Sequence, residues 1–300
     1  MEVRAPAGVI AYEPADLTVT VGAGTSVLDL DSLLAEHGQM CPLDPRDSNA
    51  TVGGLIAVGL SGVRRLRHGP VRDTVLEVRF VTADGRVVKG GGPTVKNVTG
   101  YDLPRLLVGS FGTLGVLVQM TLRCRPRPVA WQWASTTRPV DAVAASLFRP
   151  SSVLWDGENT FVLLEGFDRD IGVEARAAQL GPPCEAPALP NGTHRGRISV
   201  APAALGSLRD ALNDITGARW LAEWGVGTVH VAGDDPRVLV DARAAAARHG
   251  GWLLREAGGD EAFDGFGVAL PNGELHRRIK EAFDPNGTCN PGRLPGPHPF

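Results

Sequence analysis

Glycine placement constrains this chain more than any other feature. Its 38 glycines and 23 prolines are spread through all 300 residues rather than gathered in a tail. Such punctuation favours a turn-rich fold over a helical bundle. Four glycine-centred stretches stand out: "NATVGGLIAVGLSG" at 49–62, "KNVTGYDLPRLLVGS" at 96–110, "GSFGTLGVL" at 109–117 and "DPNGTCNPGR" at 284–293. Glycine lets a flat or charged ligand approach the backbone closely, and it tolerates positive φ. Taken singly, each stretch also has a bland reading. The first is helix–sheet packing, the second a turn with an aromatic anchor, the third a GxxGxxG spacing of low specificity, the fourth two consecutive turns.

A fifth glycine run, "VTVGAGTSVLDL" at 19–30, has the outline of a phosphate-binding loop. Gly22 and Gly24 follow an apolar strand, and Thr25 and Ser26 open a helix, a corner whose backbone N–H groups could hold a pyrophosphate. Around it the pattern predicts two short strands, Gly8–Tyr12 and Leu17–Val21, split by a Glu-Pro turn. The helix that follows places Val27, Leu30, Leu33 and Leu34 on one face, with Gly38 as its C-cap. "VLEVRFVTADGRVVKGG" predicts a β-hairpin turning at Ala83-Asp84-Gly85, and Leu114–Leu122 predicts a strand. A Pro/Arg-rich edge falls near Pro126–Pro128. Beyond it, "VDAVAASLF", "LGSLRDALNDI" and "PRVLVDARAAAARHG" predict amphipathic helices, and "TFVLLEGF", "RISVAPA" and "GTVHVAG" predict strands. This mixture predicts an antiparallel sheet with helices on one face. "LPNGTHRG" predicts a surface loop, and the tail from Phe283 is too rich in Pro and Gly for a helix.

Composition removes several function classes. The formal charge is −3 with the two signs interspersed, which argues against a nucleic-acid partner. The one basic run, "RRLRH" at Arg64–His68, predicts a solvated loop. Cys41, Cys124, Cys184 and Cys289 are far apart and form no CxxC pair, which argues against zinc and iron–sulfur sites within the chain. No apolar run approaches the ~20 residues of a membrane span, and no signal peptide is apparent, so a reducing cytoplasm is the expected setting.

In their order and separation, the four glycine stretches are far more specific than any one alone. They resemble the vanillyl-alcohol-oxidase-like, PCMH-type family of FAD-linked oxidoreductases, and within it the FAD-binding subunits of bacterial glycolate oxidases. The resemblance runs from about Gly8 to Pro128 and returns at Asp284–Leu294; Trp131–Phe283 fits a variable substrate domain only in length and coarse pattern. It implies an α+β fold: a two-lobed FAD-binding domain over residues 1–128, an antiparallel-sheet cap over 129–283, and a return segment, 284–300, to the flavin. It also implies non-covalent FAD, since no histidine precedes His37 and Cys41 sits near the wrong end of its loop for a tether.

By the same resemblance, Pro45, Thr51, Gly53 and Gly54 line the ribityl and flavin side, and Gly59, Gly62 and Gly69 shape a second wall. Gly109, Ser110, Gly112, Thr113 and Val116 run beside the cofactor, while Asn290, Pro291, Gly292 and Arg293 return to the ring. Arg293 is the candidate cation beside the flavin's pyrimidine edge. The family's glycine-rich phosphate loop lies upstream of the part this chain matches, so "VGAGTS" is expected to be an ordinary strand-to-helix turn and the domain to be truncated at its N-terminus. The implied activity is hydride transfer from a small 2-hydroxy acid to flavin. The implied partners are a larger FAD subunit and an iron–sulfur subunit, through which any membrane association would come. The alternative is an FAD-free subunit acting by protein contact. His68, His194, His230, His249 and His276 are scattered, Arg255 and Glu256 sit at a strand end, and no catalytic residue is assigned.

Overall fold

The computed structural model describes residues 4–93, 100–259, 265–266 and 272–293. The chain divides into two compact units, Met1–Arg127 with Leu270–Phe300, and Pro128–Ala269. The C-terminal part of the first unit takes in residues ahead of Asp284, where the sequence places the return segment. The reason is a C-terminal helix whose Ile279 and Phe283 pack against the first unit's core.

The first unit is built on a five-stranded antiparallel sheet. Its strands are β1 (Val9–Glu13), β2 (Thr18–Gly22), β4 (Val75–Val81), β5 (Val87–Gly91) and β6 (Val116–Arg123), in the order β1-β2-β6-β4-β5. Two residue pairs, β3 (Gln39–Met40) and β7 (Arg125–Pro126), form a separate small ladder. The expected hairpin is present, with Gly85 at φ +83° in its turn. Helix α1 (Val27–Glu36) starts at Ser26, whose hydroxyl accepts from the Asp29 N–H, and buries Val27, Leu30 and Leu34. Helix α2 (Val52–Val58) starts at Thr51 and stops at Gly59. Two short helices, α3 (Arg65–His68) and α4 (Leu103–Leu107), complete the N-terminal part. Leu30, Leu34, Ile56, Phe80, Leu107, Met120 and Leu122 form the centre of the core, each fully buried. Seven such side chains set the scale of the stabilisation, since burying one Leu- or Phe-sized group is worth about 1.5–3 kcal/mol.

The second unit carries an eight-stranded antiparallel sheet of order β11-β8-β10-β9-β13-β14-β12-β15. The strands are β8 (Ala130–Thr136), β9 (Ser152–Trp155), β10 (Thr160–Gly166), β11 (Pro183–Cys184), β12 (His194–Ser199), β13 (Arg219–Glu223), β14 (Thr228–Gly233) and β15 (Trp252–Ala257). Helices α5 (Val140–Ser146), α6 (Asp168–Ala177), α7 (Leu205–Asn213) and α8 (Arg237–Arg248) accompany it. Strand alternation sends Val162 and Leu164 to one face, where they meet Val143 of α5 and Ile171 of α6. Register carries the same face across to Gly196, whose missing side chain leaves room for Leu239 of α8. The α+β architecture, with an antiparallel sheet covered by helices, is the one expected from the pattern. Helix α9 (Gly273–Phe283) belongs to the first unit.

Candidate functional site

The glycine run after β2 does not present a phosphate cradle. Its N–H groups already have partners: Gly22 donates to the Gly8 carbonyl at 3.0 Å, Ala23 to Val118 at 2.9 Å, Gly24 to Pro6 at 2.7 Å and Thr25 to Gly22 at 3.0 Å. A Cβ added at Gly22 would lie 2.3 Å from the Pro6 carbonyl oxygen, and one at Gly24 would lie 2.5 Å from that of Ala5. These glycines therefore exist to let the segment before β1 pass close by. The run is a strand-to-helix turn, as expected.

Helix α2 links that turn to a second glycine loop. At its N-terminus the Gly53 N–H donates to the Ala23 carbonyl at 2.8 Å, and Thr51 bridges to Ser26. The Thr51 hydroxyl caps the helix by accepting from the Gly54 N–H at 3.1 Å. At its C-terminus two of the carbonyls that a helix end leaves unpaired are satisfied from outside. The Gly109 N–H donates to Ile56 at 3.1 Å and the Phe111 N–H to Ala57 at 2.8 Å. Gly59, at φ +69°, takes the left-handed conformation that ends the helix. A side chain there would sit 3.0 Å from the Gly109 Cα, so the two glycine backbones meet.

The loop from Gly109 to Gly115 turns repeatedly through positive φ. Gly109, Phe111, Gly112 and Gly115 have φ of +79°, +53°, +70° and +146°. Thr113, fully buried, ties the loop to itself through its N–H and hydroxyl, which both donate to the Ser110 carbonyl, at 3.0 and 2.7 Å. The space beside Gly109 is open, since a Cβ added there would meet nothing within 4 Å, whereas one at Gly115 would lie 2.7 Å from the Val81 carbonyl oxygen. The N–H groups of Gly112 and Leu114 have no hydrogen-bond partner among the described residues. An open glycine beside two unengaged amides suits an oxyanion, since amides left without acceptors are costly unless water or a ligand meets them.

The C-terminal segment is fastened to this loop by a buried ion pair. The Lys280 ammonium of α9 donates to the Thr113 carbonyl at 2.7 Å, to Asp284 Oδ2 at 2.5 Å and to the Cys289 carbonyl at 2.9 Å. Both charged side chains are almost fully buried. Asp284 in turn accepts from the N–H and hydroxyl of Thr288 and from the N–H of Cys289. Burial pushes the Asp284 carboxyl up, but Lys280 and those donors outweigh it and hold the group below the usual carboxylate range. The clamp delivers Asn290, at φ +43°, whose side-chain amide donates to the Phe111 carbonyl at 2.7 Å. A Cβ at Gly112 would lie 3.1 Å from that amide nitrogen.

The structure thus brings Gly59, Gly109, Ser110, Gly112, Thr113 and Asn290 into one cluster, with Val116 opening β6 directly after it. Among the other expected site residues, three glycines answer to local packing. Gly53 has no room for a side chain beside Ala23, and Gly62 has none beside Asp44, which pairs with Arg64 at 2.5 Å. Gly69, at φ +82°, faces Asp73. Pro45 lies in the loop after β3, Gly54 is exposed, and Gly292 and Arg293 are exposed beyond Asn290. Lys96 and Asn97 lie outside the described residues. Of the histidines, His230 is buried against Glu223 at 2.7 Å, His194 accepts from the Gly259 N–H at 2.7 Å, and His249 contacts the Ala245 carbonyl at the end of α8. Sequence reasoning named Asn290 but not Lys280 or Asp284. The available signal was a Lys and an Asp four residues apart in "KEAFD", directly before the glycine stretch. Among the described residues no group of His, Cys, Asp and Glu could hold a metal, and no helix is long and apolar enough to cross a membrane.

Residues 3–91 match the family described as FAD binding domain. Glycolate oxidase subunit GlcE of Escherichia coli is 32% identical over 98% of this chain and 86% of its own length. The chain belongs to the PCMH-type FAD-binding oxidoreductase family. As a member it is an FAD-dependent oxidoreductase, with FAD held non-covalently. Some other relatives match over a smaller part. A D-lactate dehydrogenase of Archaeoglobus fulgidus is 46% identical over 35% of this chain and 24% of its own. The fold is shared with an alkyldihydroxyacetonephosphate synthase structure at a TM-score of 0.68 and 16% identity, covering 96% of this chain and 67% of that one.

Proposed function

We propose that this flavoprotein is a subunit of a glycolate-oxidase-type dehydrogenase acting on a small 2-hydroxy acid. The observation that carries the reading is the likeness to glycolate oxidase subunit GlcE along nearly the whole chain, supported by the partial matches to D-lactate dehydrogenases. The Gly109–Gly115 loop suits one part of FAD. The unengaged Gly112 and Leu114 amides would hold its pyrophosphate, Gly109 would leave room for its approach to the backbone, and Gly59 lets α2 come up behind the loop. Thr51 and Gly54 at the head of α2, with Pro45 before it, would line its flavin side. Asn290 holds the loop's shape through Phe111, and the Lys280–Asp284 clamp holds Asn290. Arg293 would supply a positive charge to the flavin's pyrimidine edge. Bound FAD supplies the hydride-accepting chemistry; the chain supplies position and electrostatics.

The reading includes partners. A larger flavoprotein subunit and an iron–sulfur subunit would carry electrons onward. The test is to purify the chain alone and co-expressed with such subunits, then to assay glycolate and D-lactate with an artificial dye. The expected result is a yellow protein of low activity alone and a stable, active complex when co-expressed. A monodisperse monomer with full dye-linked activity would remove the partner claim. A protein that stays colourless after addition of FAD would favour the FAD-free alternative.

A further inference from the structure

A cavity of about 450 Å³ opens in the first unit, lined by four arginines, Arg72, Arg105, Arg123 and Arg125, together with His68 and the carboxylates of Asp73 and Asp102. It is remote from the glycine loop. Arg123 ends β6, whose first residue, Val116, adjoins Gly115, and eight residues of strand span about 25 Å.

The charges in this cavity do not balance. Asp73 lies 3.9 Å from Arg72 and 3.5 Å from Arg105, and Asp102 lies 3.1 Å from Arg105. Both acids are thereby engaged by two of the arginines. Arg123 and Arg125 pair with no carboxylate among the described residues. Arg125 makes a 3.4 Å donation to the His68 carbonyl. Burial, and after it the charge of Arg123, disfavours the Arg125 charge, yet a guanidinium cannot shed its proton at neutral pH. Two half-buried positive charges held side by side, without a counter-charge among the described residues, call for an anion.

The geometry narrows its chemistry. Arg123 and Arg125 are two residues apart in extended backbone, so they leave the chain on the same side with Cα atoms about 6.5 Å apart. Each guanidinium is a planar fork that matches one carboxylate in a bidentate manner. The cavity is of the size that takes a small molecule. We infer that this cavity is a binding site for a small dicarboxylate, one carboxylate on Arg123 and the other on Arg125. The inference stands apart from the flavin reading, because binding here is read without activity.

The test is calorimetric titration of the full chain with malonate and with succinate, beside acetate and inorganic phosphate. One of the two dicarboxylates should bind at least about tenfold more tightly than acetate or phosphate. Arg123→Gln, which breaks no ion pair, and Arg125→Gln should each weaken that binding by about tenfold or more, the loss of one charge-assisted pair. Arg125→Lys keeps the charge but loses the fork and should give an intermediate loss. Arg86→Gln, at the exposed hairpin, makes the same change of net charge and should leave binding unaltered. Circular dichroism melts confirm that each variant is folded. Absence of binding by both dicarboxylates overturns the inference. So does phosphate or acetate binding as tightly, or an Arg123→Gln protein that binds as the wild type does.

Discussion

The Lys280–Asp284 clamp offers the sharpest test of how the C-terminal segment is held. Replacing Lys280 with Met keeps the apolar stem and removes the ammonium. Three acceptors then lose a donor: the Thr113 carbonyl, the Cys289 carbonyl and Asp284 Oδ2. The decisive one is Asp284, a carboxylate with almost no exposed surface. Breaking a buried ion pair from one side costs about 3–5 kcal/mol, because the remaining charge is uncompensated. Thr288 and Cys289 still donate to Asp284, which places this case at the low end, about 3 kcal/mol. Removing both charges in Lys280→Met/Asp284→Asn should recover part of the loss. The assay must report the first unit alone. All six tryptophans lie between Trp131 and Trp252, in the second unit, so their fluorescence serves as the control and should not shift in urea midpoint. Labelling of Cys41 and Cys124, buried in the first unit's core, reports its opening. A loss below about 1 kcal/mol by thiol labelling would mean that Lys280→Met leaves no buried uncompensated charge behind, against the scale expected for a broken buried pair.

Gly112→Val should weaken FAD binding far more than folding. The positive φ costs about 1–2 kcal/mol of stability, and the added Cβ would lie 3.1 Å from the Asn290 amide; equal melting shifts with and without FAD would mean the glycine is only structural. Cys41 and Cys124 should resist alkylation at pH 8 in the native protein while exposed Cys184 reacts, because burial raises both thiols, Cys124 to about 11. A raised acid binds more protons folded than unfolded, so this contribution to stability is complete below the ordinary thiol pKa of about 9 and is lost as pH climbs toward 11; urea midpoints for Cys124→Ser should lack that alkaline decline. Asp284 runs the other way. Its depressed pKa adds stability that is present above the ordinary value of 3.8 and lost as pH falls below it, so Asp284→Asn should flatten the acid limb of the first unit's unfolding profile.

Local rules made part of this molecule readable. The helix opening at Ser26, the Val27, Leu30 and Leu34 stripe and the Ala83-Asp84-Gly85 turn follow from short-range geometry, and each is where its residues predict. The glycine motifs pointed to a flavoprotein because their order along the chain survives without knowledge of the fold. Other features depend on contacts that no local rule encodes. Gly22 and Gly24 have the outline of a phosphate loop in local pattern, and only residues 5–8 beside them show why glycine is needed there; Gly53 and Gly62 have no room for a side chain beside Ala23 and Asp44. Lys280 was hidden because α9 exposes charge along most of its length, with Arg277 paired to both Glu274 and Glu281. One lysine among so many gives no sign that it alone turns inward to a carbonyl 167 residues away. The eight-strand order of the second unit is likewise a matter of long-range pairing.

Whether the Gly109–Gly115 loop holds FAD through the Gly112 and Leu114 amides can be read by amide hydrogen exchange of the full chain, with and without bound FAD. Exchange at Gly112 and Leu114 should slow markedly on FAD binding. Gly22–Thr25 should be unchanged, because those amides are already bonded within the protein. Slowing at Gly22–Thr25 with none at Gly112 and Leu114 would place the cofactor at the first glycine run instead and remove the assigned role of the Gly109–Gly115 loop.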